Sequence, residues 1–328
     1  MWGEVQEERA SKGTDVMTES ELEARVGNRV YLTLLTNVQY LEGCLTLWYA
    51  LKRVDSKYPL VVMYTESLGA EALEELEKRK IYHFKVEHLE AGRYFEEDTR
   101  FNECWTKLQM FSMTEFERIV FLDADMAVVQ NMDELFDIPL NREDRIYGAS
   151  HACVCNPYKK PTYPSDWVPK NCAFSPHHYR SIKAPADMEN TQHIYGPSCQ
   201  TGLATINSGL VVVYPHPETF KEIFEKLKDK NATEKYRFPD QDLMADVGRN
   251  RWVGLSYKYN ALKTLRNIHS DLWKDDEVKN IHYIMSPKPW DFPTRNEAEA
   301  NDPTGTFSHY WDIYEDRVQY ERKLGLIE

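Results

Sequence analysis

The run Arg118-Ile-Val-Phe-Leu-Asp-Ala-Asp-Met126 constrains this chain more than any other segment, because an apolar stretch ends abruptly in two carboxylates one residue apart. Val, Ile and Phe in succession read as a buried strand, and open α/β sheets bind their ligands at the carboxyl ends of strands. Asp123 and Asp125 therefore stand as candidate metal ligands. Hard divalent cations favour carboxylate oxygens, and a cation held by few protein groups keeps positions open for the oxygens of a diphosphate. That arrangement suits a nucleotide sugar. The plainer alternative is a strand followed by an acidic turn, and only partners elsewhere in the chain can decide between the two.

The residues before this run alternate between strand and helix signals. Residues 29–36 read as a first strand, and Leu41, Cys44, Leu45, Trp48 and Leu51 then recur at helical spacing. Residues 60–64 read as a second strand, 69–80 as a charged surface helix and 81–87 as a third strand, and a helix around Trp105, Leu108 and Phe111 leads into the strand that ends at Asp123. This alternation predicts a mostly parallel, doubly wound sheet. Beyond Asp137 it breaks. Residues 151–200 are rich in Pro, Cys, His and Tyr without periodicity and read as a long excursion rather than a second domain. Regular structure resumes with an apolar strand at Ile206–Tyr214, a helix over 217–229 and another from Gln241.

Composition narrows the classes. The chain has 328 residues, of which 42% are hydrophobic, enough for a core in one large domain or two small ones. A formal net charge of −13 argues against a nucleic-acid groove and against unaided attraction to an anionic membrane. It leaves room for a phosphorylated ligand, since a metal and one or two Lys can invert the field locally. No apolar stretch approaches the ~18 residues of a spanning helix, and residues 1–27 carry seven acids and three bases, as expected of an acidic tail and unlike a signal peptide. The expected location is cytoplasmic.

Six cysteines are too few for a disulfide scaffold. Four of them, Cys153, Cys155, Cys172 and Cys199, share one segment with His151, His177 and His178, which raises a zinc site as an alternative to small buried side chains in a loop. No Cys-x-x-Cys pair is present, and the spacing matches no common structural zinc pattern.

Three further segments supply polar partners for the Asp pair. His282-Tyr-Ile-Met-Ser-Pro-Lys288-Pro-Trp290 places an imidazole and a Lys in a turn-prone stretch; His282 could be the third metal ligand, and Lys288 could neutralise phosphate. Asn207-Ser-Gly209 interrupts an apolar strand, which marks either close approach of a ligand or a β-bulge. Pro239-Asp-Gln-Asp242 offers carboxylates and an amide at a helix start, where Asp240 is either a functional group or the N-cap.

Taken in order, these pieces resemble the retaining glycosyltransferase family that contains glycogenin and galactinol synthase, glycosyltransferase family 8. The matching segments are Thr33-Leu-Leu-Thr-Asn37 with Tyr40, Trp105-Thr-Lys107-Leu, Phe121-Leu-Asp-Ala-Asp125, Asn131-Met-Asp-Glu-Leu-Phe136, Asn207-Ser-Gly209, Asp240-Gln241 and His282 to Trp290. They span about residues 29 to 290. His151-Ala-Cys-Val-Cys-Asn-Pro, Tyr259-Asn-Ala-Leu-Lys-Thr-Leu-Arg266 and Ser286-Pro-Lys-Pro-Trp look most like the fungal galactinol-synthase-like branch.

The resemblance implies a single Rossmann-like GT-A domain over 28–328 with an insertion at about 151–200, a UDP-sugar donor and Mn²⁺, with Mg²⁺ as a substitute. By matching motifs, Leu34, Thr36, Asn37 and Tyr40 would contact uracil and ribose, and Asp123, Asp125 and His282 would ligate the metal. Lys288 would hold the diphosphate, Lys107 would contact the donor, and Asn207, Asp240 and Gln241 would surround the transferred sugar. One departure stands out: the family often has Gly three residues after the metal-binding His, and here that residue is Met285. The implied reaction moves a hexosyl unit, Glc or Gal first among the candidates, to an acceptor hydroxyl with an α-linked product. The acceptor stays open among myo-inositol, a glycan, a lipid and a protein, no nucleic acid or membrane span is implied, and a homodimer is admissible.

Two rivals come from other classes. A phosphohydrolase of the haloacid-dehalogenase type shares the strand and Asp-x-Asp but usually has Thr or Val where Ala127 stands, and it leaves Pro-Lys-Pro-Trp unexplained. A non-catalytic nucleotide-sugar binder is opposed by the intact Asp123, Asp125, His282 and Lys288. A self-glycosylating primer like glycogenin stays open, given 20 Tyr.

Overall fold

A computed structural model of the chain describes residues 27–91, 103–175 and 205–328. The expected acidic tail lies outside the described residues but for Gly27, as do Cys199, His177 and His178.

Among the described residues, ten strands form two sheets. The larger contains β1 (Arg29–Leu35), β2 (Leu60–Tyr64), β3 (Tyr82–Lys85), β4 (Arg118–Leu122), β6 (Tyr147–His151), β7 (Ile206–Val213) and β8 (Trp252–Leu255), in the order β3-β2-β1-β4-β7-β6-β8. Its strands run parallel except β7, which pairs antiparallel with both β4 and β6. The mostly parallel sheet expected from the sequence is thus present.

β4 shows why the sheet is doubly covered. Side chains alternate across a strand, so Val120 and Leu122 enter one apolar layer while Ile119 and Phe121 enter the other. The first layer holds α1 (Leu41–Arg53) and the C-terminal helix, α5 (Phe307–Lys323), through Leu45, Trp48, Tyr310 and Ile313. The second holds α3 (Pro217–Lys228) and α4 (Pro239–Val247) through Phe220, Ile223 and Leu243. The first layer also takes in α2 (Ala70–Lys78), through Ala72 and Leu76. Full burial of one such side chain is worth roughly 1.5–3 kcal/mol, so both layers stabilise the sheet they cover.

Several expectations need correction. The helix expected around Trp105, Leu108 and Phe111 is present as a 3₁₀ helix, Cys104–Ser112; these apolar residues recur every third position, the period at which 3₁₀ side chains line up. The 151–200 excursion begins one residue later, because His151 ends β6. That strand, Tyr-Gly-Ala-Ser-His, lacks the branched and aromatic content of a typical strand, yet all five residues are buried between β7 and β8. Helix α4 starts at Pro239, not Gln241, and its N-cap is Phe238, not Asp240. The bulge reading of Asn207-Ser-Gly209 is realised: the β6–β7 register shifts from Ala149↔Val211 to Ser150↔Asn207.

The smaller sheet, in the order β5-β10-β9, joins β5 (Met126–Val128), β9 (Ala261–Leu262) and β10 (Asn280–His282). Because β5 follows Asp125 directly and pairs antiparallel with β10 in the register His282↔Met126, the imidazole is set beside the carboxylate pair. Tyr283 N donates to Asp125 O at 2.9 Å and continues that ladder.

Candidate functional site

The carboxyl end of β4 carries Asp123, whose backbone N–H donates to Gly209 O of the neighbouring β7 at 2.8 Å. Asp125, two residues on, faces the same space. His282 Nε2 lies 3.1 Å from Asp125 Oδ1 and 3.9 Å from Asp123 Oδ2, and one ligand atom from each of the three falls within 4.8 Å of the others. Two carboxylates and an imidazole at this spacing fit a divalent cation with oxygen and nitrogen ligands.

Two glycines make room for this convergence. A Cβ on Gly209 would stand 2.3 Å from His282 Cε1, so the imidazole occupies space that only Gly leaves free. A Cβ on Gly43 would meet Ala124 O at 2.4 Å, so α1 approaches the Asp123–Asp125 turn only through a bare backbone.

The ring orientation of His282 follows from a backbone amide. Gly209 N donates to Asn207 Oδ1 at 3.1 Å, which makes that atom the oxygen; Asn260 Nδ2 donates to the same oxygen at 2.8 Å, leaving Asn260 Oδ1 at 2.9 Å from His282 Nδ1. Nδ1 therefore carries a ring proton, and Nε2 is the nitrogen turned toward the carboxylates.

Three lysines with relative exposures of 6–7% surround the acids in a chain of net negative charge. Lys288 donates to Asp125 Oδ2 and to Tyr283 O at 2.6 Å, and its Nζ stands 5.7 Å from the Tyr40 ring. Lys107 lies 2.7 Å from Asp123 Oδ1 and 3.2 Å from Asp240 Oδ2. Lys263 donates to Pro287 O at 2.7 Å and Met285 O at 3.3 Å, holding the turn between His282 and Lys288. Met285, at the position where the resembling family often has Gly, adopts φ +60°, the left-handed backbone that Gly accommodates most easily.

Burying charges is costly unless they are paired, and the pairing is visible in their protonation. Burial alone would raise the Asp125 carboxyl, but Lys288 and His282 outweigh it and hold Asp125 well below the usual range. Asp123, with 28% of its side chain exposed, is pushed upward by burial, with Lys107 opposing and the Asp125 charge adding. Burial would lower Lys107, but Asp123 and Asp240 raise it. Lys263 is lowered to about 8 by burial and by the neighbouring Lys288 charge.

Asp240 stands in the first turn of α4 with 5% of its surface exposed, accepting from Ser208 Oγ at 2.6 Å on the same Oδ2 that faces Lys107. Gln241 is buried beside it in sequence. Lys107 therefore bridges the candidate metal carboxylate to Asp240.

Leu34 and Thr36 lie at the carboxyl end of β1, which pairs parallel with β4, and so border Asp123. Tyr40 meets Trp290 edge to face at 6.1 Å, and Trp290 Nε1 donates to Gln39 O at 3.0 Å. Asn37 Oδ1 accepts from Gln39 N at 3.1 Å and caps the turn Val38–Tyr40. Asn207 is likewise engaged by Asn260 and Gly209 and orients His282 through them. Three residues of the site are not evident from sequence reasoning: Ser208, Asn260 and Lys263. Ser208 lies inside the Asn-Ser-Gly motif, and Asn260 and Lys263 lie inside the Tyr259–Arg266 segment, whose family likeness is the one signal that could have found them.

The sequence profile of glycosyl transferase family 8 matches residues 31–294. Galactinol synthase 1 of Solanum lycopersicum is 25% identical over 90% of this chain and 84% of its own length. An uncharacterized protein of Acanthamoeba polyphaga mimivirus is 24% identical over 87% of this chain and 90% of its own. Among solved structures, an active-site mutant of LgtC superimposes with a TM-score of 0.58 at 12% identity, covering 88% of this chain and 96% of that one. The shared architecture is the GT-A fold.

Proposed function

The chain belongs to glycosyl transferase family 8, and we propose on that basis that it is a retaining, metal-dependent hexosyltransferase that moves a sugar from a UDP-sugar to an acceptor hydroxyl. The observation that carries this reading is the convergence of Asp123, Asp125 and His282 beside the buried Lys288 at the carboxyl end of β4. A bound Mn²⁺, or Mg²⁺ in its place, would be held by those three side chains and would stabilise the negative charge of the departing diphosphate.

The remaining groups divide the work. Lys288, with its Nζ beside the Tyr40 ring, meets diphosphate oxygens where the nucleotide-binding end of β1 reaches the acids. Leu34, Thr36 and Tyr40 form the uridine side. Asp240 lies on the sugar side; among the described residues its contacts with Ser208 and Lys107 both use Oδ2, and Oδ1 is proposed to face positive charge on the reacting ring carbon. Lys107 keeps Asp123 and Asp240 in fixed relation and offsets their repulsion.

The galactinol synthases among the relatives make UDP-galactose and UDP-glucose the first donors to test and myo-inositol the first acceptor. A panel of UDP-sugars is incubated with and without Mn²⁺, followed by proton NMR of the transfer product. Metal-dependent turnover of one donor and an α-linked product are expected. A β-linked product would overturn the retaining mechanism, and turnover unaffected by chelator would overturn the metal. Weighing the protein after incubation with donor alone tests self-glycosylation.

A further inference from the structure

A second cluster lies apart from the acids. Cys153 and Cys155 follow β6, Cys172 follows the 3₁₀ turn Pro169–Asn171, and His269 ends the short helix Leu265–Ile268. His269 Nε2 stands 3.5 Å from Cys153 Sγ, 3.3 Å from Cys155 Sγ and 3.6 Å from Cys172 Sγ, and Cys172 Sγ is 3.9 Å from Cys153 Sγ. One ligand atom from each of the four residues lies within 4.8 Å of all the others.

Hydrogen bonding does not account for this gathering. A neutral imidazole nitrogen carries either one proton or one lone pair, yet three sulfurs crowd the same Nε2. A disulfide does not account for it either, since 3.9 Å is far beyond the ~2.05 Å of an S–S bond, and all three cysteines are free. A tetrahedral cation with bonds of about 2.3 Å to sulfur and about 2.0–2.1 Å to nitrogen spans S···N edges of roughly 3.6 Å and S···S edges of roughly 3.8 Å. The observed separations match those edges.

We propose that Cys153, Cys155, Cys172 and His269 bind a structural Zn²⁺. Three thiolates and an imidazole select zinc over the hard ions that carboxylates favour, and four protein ligands close the coordination sphere, as in sites that stabilise folds rather than catalyse. His151, one of the sequence candidates, packs on Trp252 with ring centroids 4.9 Å apart and belongs to β6 instead.

The zinc ties the loop after β6 to the segment that follows Lys263. Between the cysteines, Trp167 stacks on Phe238 with centroids 4.9 Å apart, and Phe238 is the N-cap of the helix bearing Asp240. Lys160 of the same loop reaches Met285 Sδ at 3.5 Å. The ion thus braces a wall that touches both Asp240's helix and the His282–Lys288 turn.

The test is the metal content of the full-length protein, purified without added metal and desalted, read by inductively coupled plasma mass spectrometry, with Co²⁺ as a spectroscopic probe. About one zinc per chain is expected, with Cys172→Ser and His269→Ala falling to below ~0.1 and Asp125→Ala retaining it. Co²⁺ exchange should produce thiolate-to-cobalt charge-transfer absorption. Wild-type protein without zinc and without that band would overturn the proposal, even where the cysteine variants fail to fold. So would zinc that survives Cys172→Ser and disappears in Asp125→Ala, since it would belong to the carboxylate site.

Discussion

Asn260 Oδ1 lies 2.9 Å from His282 Nδ1 and thereby turns the opposite ring nitrogen toward Asp125, 3.1 Å away. Groups that fix a ligating imidazole from behind commonly govern metal affinity by 10–100-fold. Asn260→Ala should therefore weaken Mn²⁺ binding in the presence of UDP by about that factor, with circular dichroism unchanged. Calorimetric titration of Mn²⁺ checks this, and equal affinity would remove Asn260 from the role.

Gly209→Ala should disable the same site by a different route. The added Cβ would meet His282 Cε1 at 2.3 Å, and the ring is buried and pinned by Asn260 and by β10 pairing. Loss of Mn²⁺-dependent UDP binding by on the order of 10-fold or more is expected. A crystal structure of the variant with His282 unmoved would contradict the steric account.

Asp240→Asn separates chemistry from binding. The substitution preserves an oxygen for Ser208 but removes the charge that faces Lys107. If that charge acts in the transition state, kcat falls on the order of 100-fold while UDP affinity changes only a few-fold. Steady-state kinetics beside UDP calorimetry decide it; an unaltered kcat would exclude Asp240.

Asp242 predicts a pH effect on stability. Burial pushes its carboxyl up to about 6, although the backbone N–H groups of Phe238 and Arg237 pull it down. A folded-state value above the unfolded one means the native state holds the proton more tightly, so this contribution is present below pH ~4 and is lost as pH rises through ~6. Asp242→Asn, which keeps an oxygen for both amides, should gain on wild type by roughly 1–3 kcal/mol between those pH values. Denaturant unfolding across pH 4–7 would show it; parallel curves would count against it.

Much of the fold was legible because β1, β2, β4 and β7 carry their own patterning: long branched or aromatic runs buried on both faces. β6 was not, because its small residues are strand only by virtue of the neighbours that bury them. The site divides the same way. Asp123, Asp125, His282, Lys288 and Asp240 were readable from chemistry and motif, since each sits at a strand end, helix start or turn where its charge has an evident use. Asn260 and Lys263 act through contacts across the fold and lie in a segment marked by family likeness alone, and Ser208, though inside a visible motif, finds its partner only when the fold brings Asp240 beside it. His269 is the sharpest instance: it completes a cysteine cluster whose other members lie in a different segment, and only folding brings them together.

We propose that Asp123, Asp125 and His282 hold the cation through which UDP is bound. The most direct test is calorimetric titration of UDP, with and without Mn²⁺, into wild type, Asp123→Ala, Asp125→Ala and His282→Ala. The account predicts Mn²⁺-dependent binding in wild type and its loss in each variant, with circular dichroism unchanged. Unchanged UDP affinity in Mn²⁺ for any two of the three variants would contradict it.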